Sequence, residues 1–209
     1  MSAGYRESVA PRSTRRTQAE RREATVTALV ETARELFARD GFTATSLDAV
    51  AAKVNVTKGA VYHHFDSKQQ LFEAGFAGEV ARLASLLPTV FARKRDPWDG
   101  FEAACRAFLE ECLDPAVQRI VLLDAPAAIG WETMRRLEAP LFAMMESAIT
   151  QAVEAGRIAR RPAGPLAHFL FGALCEMAMV VARAEEQKAA HRQAVTELGR
   201  VMAGLAASK

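Results

Sequence analysis

Residues 46–67, SLDAVAAKVNVTKGAVYHHFDS, decide the fold of this chain. In the first third of the stretch, Leu47, Val50 and Ala51 repeat at the spacing of one helix face, so a short amphipathic helix is expected. Thr45 or Ser46 can begin this helix, because a hydroxyl oxygen accepts the free backbone N–H groups of the first turn. The pattern breaks after Lys53, which predicts the end of the helix.

The second half of the stretch predicts another short helix after a tight turn. Asn55 tolerates a turn conformation, and Thr57 is a good N-cap. Val61 and Phe65, four residues apart, form the inner side of this helix. Its outer side carries Lys58, Gly59, Tyr62, His63 and His64. A helix of about two turns with hydrogen-bond donors outside and small residues at its start fits the major groove of DNA.

Residues 56–68, VTKGAVYHHFDSK, resemble the recognition-helix signature of the TetR family of bacterial transcriptional regulators. Ala33, Leu36, Phe37, Gly41 and Phe42 resemble the first helix of that family and its exit, so the resemblance extends over roughly residues 24–72. It implies that Lys58, Gly59 and Tyr62 meet base edges or the DNA backbone. It also implies roles in phosphate binding or at helix starts for the remaining candidates, which are Thr45, Ser46, Thr57, His63, His64 and Lys68.

Composition and charge agree with a helical, DNA-binding protein. Half of the 209 residues are apolar and runs of β-branched residues are few, which is typical of an all-α fold. The net charge is only +2, but residues 1–22 hold six arginines against two glutamates. Residues 1–20 are therefore expected to form a disordered basic tail. Two interpretations of the tail stay open, a solvated segment and an arm on DNA; contact is favoured for Arg21 and Arg22.

The rest of the chain divides at residue 66. Residues 21–66 form the expected three-helix DNA-binding domain, and residues 67–209 form a helical ligand-binding and dimerisation domain. A helix over residues 68–87, closed by Pro88, links the two. The segment 165–184 is apolar nearly all round and therefore needs to be covered on every side. With the amphipathic segment that follows, it predicts a homodimer through residues 165–207, built as an intermolecular four-helix bundle.

Motifs of enzymes are missing from the sequence. There is no Gly-rich phosphate loop, G-x-S-x-G, H-E-x-x-H or C-x-x-C, and no cofactor is expected. His63 and His64 are neighbours on a helix and do not face one ion, so no metal site is expected. Cys105 and Cys112 are expected to pack in the core. An odd number of cysteines and an apolar run too short for a membrane span favour a cytoplasmic protein without membrane contact.

The sequence therefore predicts a homodimeric regulator, a repressor released from a palindromic operator by a small apolar effector. The resemblance places the effector between the helices of the second domain, with pocket residues and effector unknown. The alternatives are a constitutive DNA-binding protein without an effector, a transcriptional activator of the same fold, and a small helical enzyme.

Overall fold

A computed structural model describes residues 17–206 of the chain. Residues 1–16, most of the expected basic tail, and residues 207–209 lie outside this range. Residues 18–20, also expected in the tail, begin the first helix. The described helices are α1 (Gln18–Ala44), α2 (Leu47–Val54), α3 (Lys58–Tyr62), α4 (Lys68–Phe91), α5 (Pro97–Glu111), a π-helix (Val117–Leu123), α6 (Ala125–Ala128), α7 (Gly130–Glu154), α8 (Ala163–Arg183) and α9 (Gln187–Leu205). Within residues 17–206 the only extended pairing is a single bridge between Ile158 and Ala206, so the all-α prediction is confirmed.

The first three helices, α1–α3, form a head whose helix starts are capped by hydroxyl groups. Ser46 Oγ accepts the Ala49 N–H at 3.1 Å, and Thr57 Oγ1 accepts the Ala60 N–H at 3.2 Å. Asn55 adopts the left-handed conformation with φ 59° between the two helices. These contacts confirm the predicted helix starts and the predicted turn, because each cap supplies an acceptor that the first helical turn lacks.

Gly41 bends α1 near its end. Its φ of +80° favours glycine, and the chain then makes one more helical turn before α2. A Cβ atom at this position would lie 1.9 Å from Arg119 Nη2 of the π-helix. At the same bend, the Phe42 N–H donates to Asp124 Oδ2 at 2.7 Å. The head is therefore attached to the second domain beside the π-helix as well as through α4.

The helix α4 is longer than expected. Pro88 was expected to close it, but the helix continues to Phe91, and the Ala92 N–H donates to Pro88 O at 2.9 Å. That prediction is wrong, because proline removes only its own N–H from the ladder and its carbonyl still accepts. The extra turn carries Phe91 further into the second domain.

A buried charge cluster ties α1, α4 and α5 together. The Glu79 carboxylate on α4 is 2% exposed and accepts hydrogen bonds from Arg34 of α1 and from Arg82, the latter at 3.1 Å. Arg82 also donates to Glu111 at the end of α5, and Arg34 Nη2 donates to Asp114 at 3.3 Å. Because both oxygens of Glu79 have a cationic donor, the carboxylate is satisfied without water.

The apolar core joins the head to α4 through an aromatic cluster. Phe37 of α1 lies edge-on to Phe72 of α4, with ring centroids 5.0 Å apart, and Phe42 lies 5.1 Å from Phe72. Phe37 and Phe72 are fully buried. Cys105 and Cys112 lie in the core of the second domain, as expected.

The second-last helix, α8, is covered on one side only. By length and composition it is apolar enough to cross a membrane, but it packs along α7, α9 and the π-helix of this domain. It was expected to be covered on every side. In one protomer Phe169 is 69% exposed and Val180 is 52% exposed. A single protomer therefore leaves the outer face of α8 open.

Candidate nucleic-acid interface and ligand cavity

The outer face of α3 brings together four of the residues predicted to contact DNA. Lys58, Gly59, Tyr62 and His63 are all exposed, while Val61 on the opposite side is fully buried against the core of the head. The Thr57 cap fixes where the helix begins, and the buried Val61 fixes its rotation. The cap and the buried Val61 therefore keep these four residues on the exposed side of the helix.

Lys58 is already held in place before any DNA arrives. Its Nζ donates to Asp48 Oδ2 of α2 at 2.9 Å and lies 5.7 Å from the ring centroid of Tyr62. The hydrogen bond to Asp48 raises the pKa of Lys58, so the side chain is a cation at neutral pH. Both partners are exposed, and a phosphate or a guanine edge can replace Asp48 as the acceptor.

Gly59 has no role in the packing of the protein itself. A Cβ atom there would meet nothing within 4 Å, and the residue lies in a helix, where glycine is unfavourable relative to alanine. What a missing side chain provides at this place is access for another molecule to the helix backbone. The position therefore fits close approach of a DNA strand.

His63 and His64 form an edge-on pair with ring centroids 5.2 Å apart. Partial burial, followed by the nearby His63 and Arg22, lowers the pKa of His64. His64 is therefore a neutral imidazole at neutral pH and offers one N–H donor. Among residues 17–206, no three His, Cys, Asp or Glu side chains are grouped as ligands for a metal ion.

Thr45 and Lys68, which were also predicted to contact DNA, have hydrogen-bond partners within the protein. Thr45 is buried, and its hydroxyl donates to Gly41 O at 2.8 Å. The Lys68 ammonium donates to Phe42 O at 2.8 Å and lies 4.4 Å from the centre of the Phe42 ring. Both side chains thus satisfy carbonyl groups at the bend of α1. A sequence pattern gives no sign of such partners, which lie 26 residues apart in the case of Lys68 and Phe42.

The exposed pair on α3 gives a first testable prediction. Lys58→Ala is expected to lose discrimination between operator and random DNA by about 1–3 kcal/mol per half-site, the range for a side chain that reads guanine by two hydrogen bonds. Tyr62→Phe removes only a hydroxyl and is expected to weaken binding to both DNAs equally, since phosphates carry no sequence information. Fluorescence anisotropy with both DNAs measures the two effects. Equal losses on both DNAs for both variants would contradict the assignment.

The second domain contains a cavity of about 400 Å³, in the range of small-molecule sites. It lies between the last turns of α4, the middle of α5, and the facing sides of α7 and α8. Its wall is formed by Leu87, Pro88, Phe91, Phe101, Ala104, Cys105, Phe108, Leu141, Ala143, Met144, Met145, Ser147, Ala148, Gln151, Phe171, Leu174 and Cys175. The sequence predicts the helices that carry these residues but does not predict the cavity wall. The wall forms only where side chains from four different helices meet.

The cavity wall carries no charged side chain. Burial raises the pKa of the thiols of Cys105 and Cys175 to about 12, so both are neutral and behave as apolar surface. The remaining polar groups, Ser147 and Gln151, are exposed residues on one row of α7 and lie at the rim of the opening. Flexible Met144 and Met145 complete a wall that adapts to an apolar ligand.

One carboxyl group near the cavity gives a prediction on pH. Burial raises the pKa of Glu138, and Arg135, which donates to it at 3.3 Å, offsets part of the effect. Above the ordinary pKa of 4.5, the native state then holds a proton that the unfolded chain has released. The stability of the wild type should therefore fall as the pH rises, relative to Glu138→Gln. Urea unfolding between about pH 4 and pH 7 measures this difference. Glu132→Gln, an exposed change on the same helix, is the control for the loss of one carboxylate from α7.

α8 and α9 carry three large exposed apolar side chains of the second domain. They are Phe169 and Val180 of α8 and Val201 of α9, and a shallow groove runs between the two helices. Large exposed apolar side chains grouped on one face mark interaction surfaces. These residues lie in the segment in which the sequence predicts dimer formation.

Comparisons with known proteins agree with both halves of the chain. The model of the "Tetracyclin repressor-like, C-terminal domain" matches residues 98–205, and that of "Bacterial regulatory proteins, tetR family" matches residues 29–74. The Transposon Tn10 TetC protein of Escherichia coli is 30% identical over 120 residues, 57% of this chain and 60% of that protein. The probable acrEF/envCD operon repressor of Escherichia coli K12 is 50% identical over 44 residues, 21% of this chain and 20% of that protein. Each match thus spans less than two thirds of these relatives.

A solved structure matches over a longer range. The crystal structure of a TetR-family transcriptional regulator from Pectobacterium atrosepticum is 34% identical, with a TM-score of 0.80. The match covers 92% of this chain and 99% of that chain. The similarity therefore includes the head, α4 and the helices of the second domain together.

Proposed function

This chain belongs to the TetR family of bacterial regulatory proteins, and from that membership we propose that it is a cytoplasmic, homodimeric repressor. In this proposal the protein binds a palindromic operator and a small effector releases it. The observation that carries the proposal is the outer face of α3, where Lys58, Gly59, Tyr62 and His63 are exposed together on a rigid, capped helix.

The DNA contact divides into positioning and reading. Tyr62, His63 and His64 are the proposed phosphate donors, together with the capped helix starts at Ser46 and Thr57. Lys58 is the one long cationic side chain on the outer face of α3, and we assign base reading to it. With so few direct readers, the shape of the operator contributes the rest of the specificity.

A salt titration tests this part of the proposal. For duplex DNA, log K against log salt concentration has a slope of about −0.9 for each phosphate neutralised. A dimer that places two heads on one operator should therefore give a steeply negative slope. Operator fragments from the sequence upstream of the gene are the natural probe. A flat plot would contradict DNA binding through the outer face of α3.

The effector part of the proposal is supported by the cavity. Three residues of α4, namely Leu87, Pro88 and Phe91, line it, and the other end of the same helix begins at Lys68 under the head. A ligand that favours one position of α4 thereby acts on the head. Linkage then requires operator DNA to weaken effector binding by the same factor by which the effector weakens DNA binding, commonly about 5–150-fold.

We propose that the dimer forms through α8 and α9. These helices contain most of the segment 165–207 that the sequence predicts as the dimer interface. Two heads then face successive major grooves on one side of the DNA, with half-sites about 34–36 Å apart or a multiple of this. Supporting this arrangement, the exposed Phe169 and Val180 lie on the face of α8 away from the cavity wall. The effector is therefore expected to release DNA without dissociating the dimer.

A further inference from the structure

The cavity extends to the last turns of α4 and α7, at the end of these helices remote from the head. Arg136 near the start of α7 donates to Glu73 near the start of α4 at 2.8 Å. Fifteen residues further along each helix, Gln151 and Pro88 both line the cavity. The two helices therefore run side by side in the same direction, away from the head. Their exposed residues, Pro88 on one helix and Ala143, Ser147 and Gln151 on the other, form the rim of the opening.

Two loops meet beyond that rim and are rich in cations. Residues 92–96 follow α4 and residues 155–162 follow α7; we call them the basic loops. An ion pair of 2.5 Å between Asp96 and Arg157 holds them together. Besides Arg157 they carry Arg93, Lys94, Arg95, Arg160 and Arg161, all exposed.

The basic loops carry more cations than carboxylates. In residues 17–206, no carboxylate forms an ion pair with any of those five exposed side chains, and Asp96 is occupied by Arg157. The nearest carboxylates along the chain, Glu154 and Asp99, stand on the flanking helices. DNA binding does not account for these cations either, since they lie beyond the far ends of α4 and α7, the ends opposite to the head. These exposed cations thus follow the last turns of two helices, α4 and α7, that line an uncharged, apolar cavity.

We propose that the effector is an anionic amphiphile. Its alkyl or aryl chain enters the cavity between Phe91, Phe101 and Phe171, and its phosphate, sulfate or carboxylate group lies on the basic loops. Ser147 and Gln151 at the rim donate hydrogen bonds to the polar atoms that join chain and head group. This inference rests on the proposed function, because it names the chemical class of ligand for the same cavity.

The physical argument is one of complementary environments. Because the cavity wall has no cation, a charged group placed inside would lose its hydration without gaining a partner. Outside the cavity the same group stays hydrated and gains attraction from the exposed cations of the basic loops. A neutral apolar ligand would be stabilised only by the cavity wall, and a free inorganic anion would be stabilised only by the basic loops.

Binding to the full-length protein without DNA tests the inference. Isothermal titration calorimetry with n-decyl phosphate below its micelle concentration is compared with n-decanol and with inorganic phosphate. We expect n-decyl phosphate to bind at least about tenfold more tightly than n-decanol, as several weak ion pairs together provide. Inorganic phosphate should show no measurable heat. Equal affinity for n-decyl phosphate and n-decanol, or no binding of either, would overturn the proposal.

Two sets of variants locate the two halves of the ligand. The triple variant Arg93→Ala, Lys94→Ala, Arg95→Ala should lose about tenfold in affinity for n-decyl phosphate and leave n-decanol unchanged. Ala143→Trp places a large ring at the rim and should abolish both, while Ala139→Trp, an exposed change on the same helix, should abolish neither. Retention of n-decyl phosphate binding by Ala143→Trp would mean that the amphiphile binds the surface only, which contradicts the proposal. Since no DNA is present, failure here leaves the salt titration of the operator complex as an independent result.

Discussion

Replacing Phe72 by alanine is expected to lower the free energy of unfolding by about 3–5 kcal/mol, the usual cost of a phenylalanine deletion in a core. Phe72 is fully buried and contacts the rings of Phe37 and Phe42, which belong to the head. The deletion therefore leaves a void at the junction between α1 and α4, where backbone of both helices limits collapse. Urea unfolding followed by far-UV circular dichroism measures the loss.

Phe72→Leu is the matched control for this prediction. It keeps most of the apolar volume and should cost clearly less than the alanine variant, because the residual cavity is smaller. A loss below about 1 kcal/mol for Phe72→Ala would mean that the aromatic cluster relaxes to fill the space. In that case the head would not be held to α4 by packing.

Splitting the dimer is expected to have the largest effect on DNA binding. Phe169→Glu combined with Val180→Glu places two charges on the outer face of α8, where burial against a second copy would strand them without partners. The monomer keeps one head, but the second head is no longer tethered beside it. Operator affinity should therefore fall about 10²–10⁴-fold, the usual gain from linking two binding modules.

Two measurements separate this effect from misfolding. Sedimentation velocity should show a monomer, while circular dichroism should match the wild type because both residues are exposed in one protomer. Binding to an isolated half-site should remain unchanged. Ala139→Glu, an exposed charge on α7, is the control and should stay dimeric. A double variant that still sediments as a dimer would place the interface elsewhere.

The helix caps and the turn between α2 and α3 are features of the fold that the sequence predicted correctly. Ser46 and Thr57 begin α2 and α3 as expected, and Asn55 adopts the left-handed turn between them. These features depend on side chain and backbone within four residues, so one stretch of sequence contains the whole interaction. The end of α4 was predicted wrongly, because a proline was expected to close the helix. Pro88 lacks only its own N–H, and its carbonyl still accepts from the Ala92 N–H.

The candidate site also has features that the sequence predicts and features that it does not. Exposure of Lys58 and Tyr62 follows from helical periodicity, whereas the partner of Lys68 is a carbonyl group at the bend of α1, 26 residues away. No periodic pattern identifies a carbonyl as an acceptor for a distant side chain. The cavity was likewise beyond reach, since Cys105 and Cys175 meet there from helices 70 residues apart in the chain.

The bend at Gly41 sets a condition for transplanting the head onto another ligand domain. A chimaera joined within α4 would keep that helix continuous but would exchange the chain that supplies Asp124, the acceptor for the Phe42 N–H. Conversely, a foreign head with a side chain at position 41 would be strained at a φ of +80° and would have to displace the Arg119 guanidinium. Heads therefore exchange most readily between chains that match at both places. The natural unit of exchange is the head together with the π-helix that it touches.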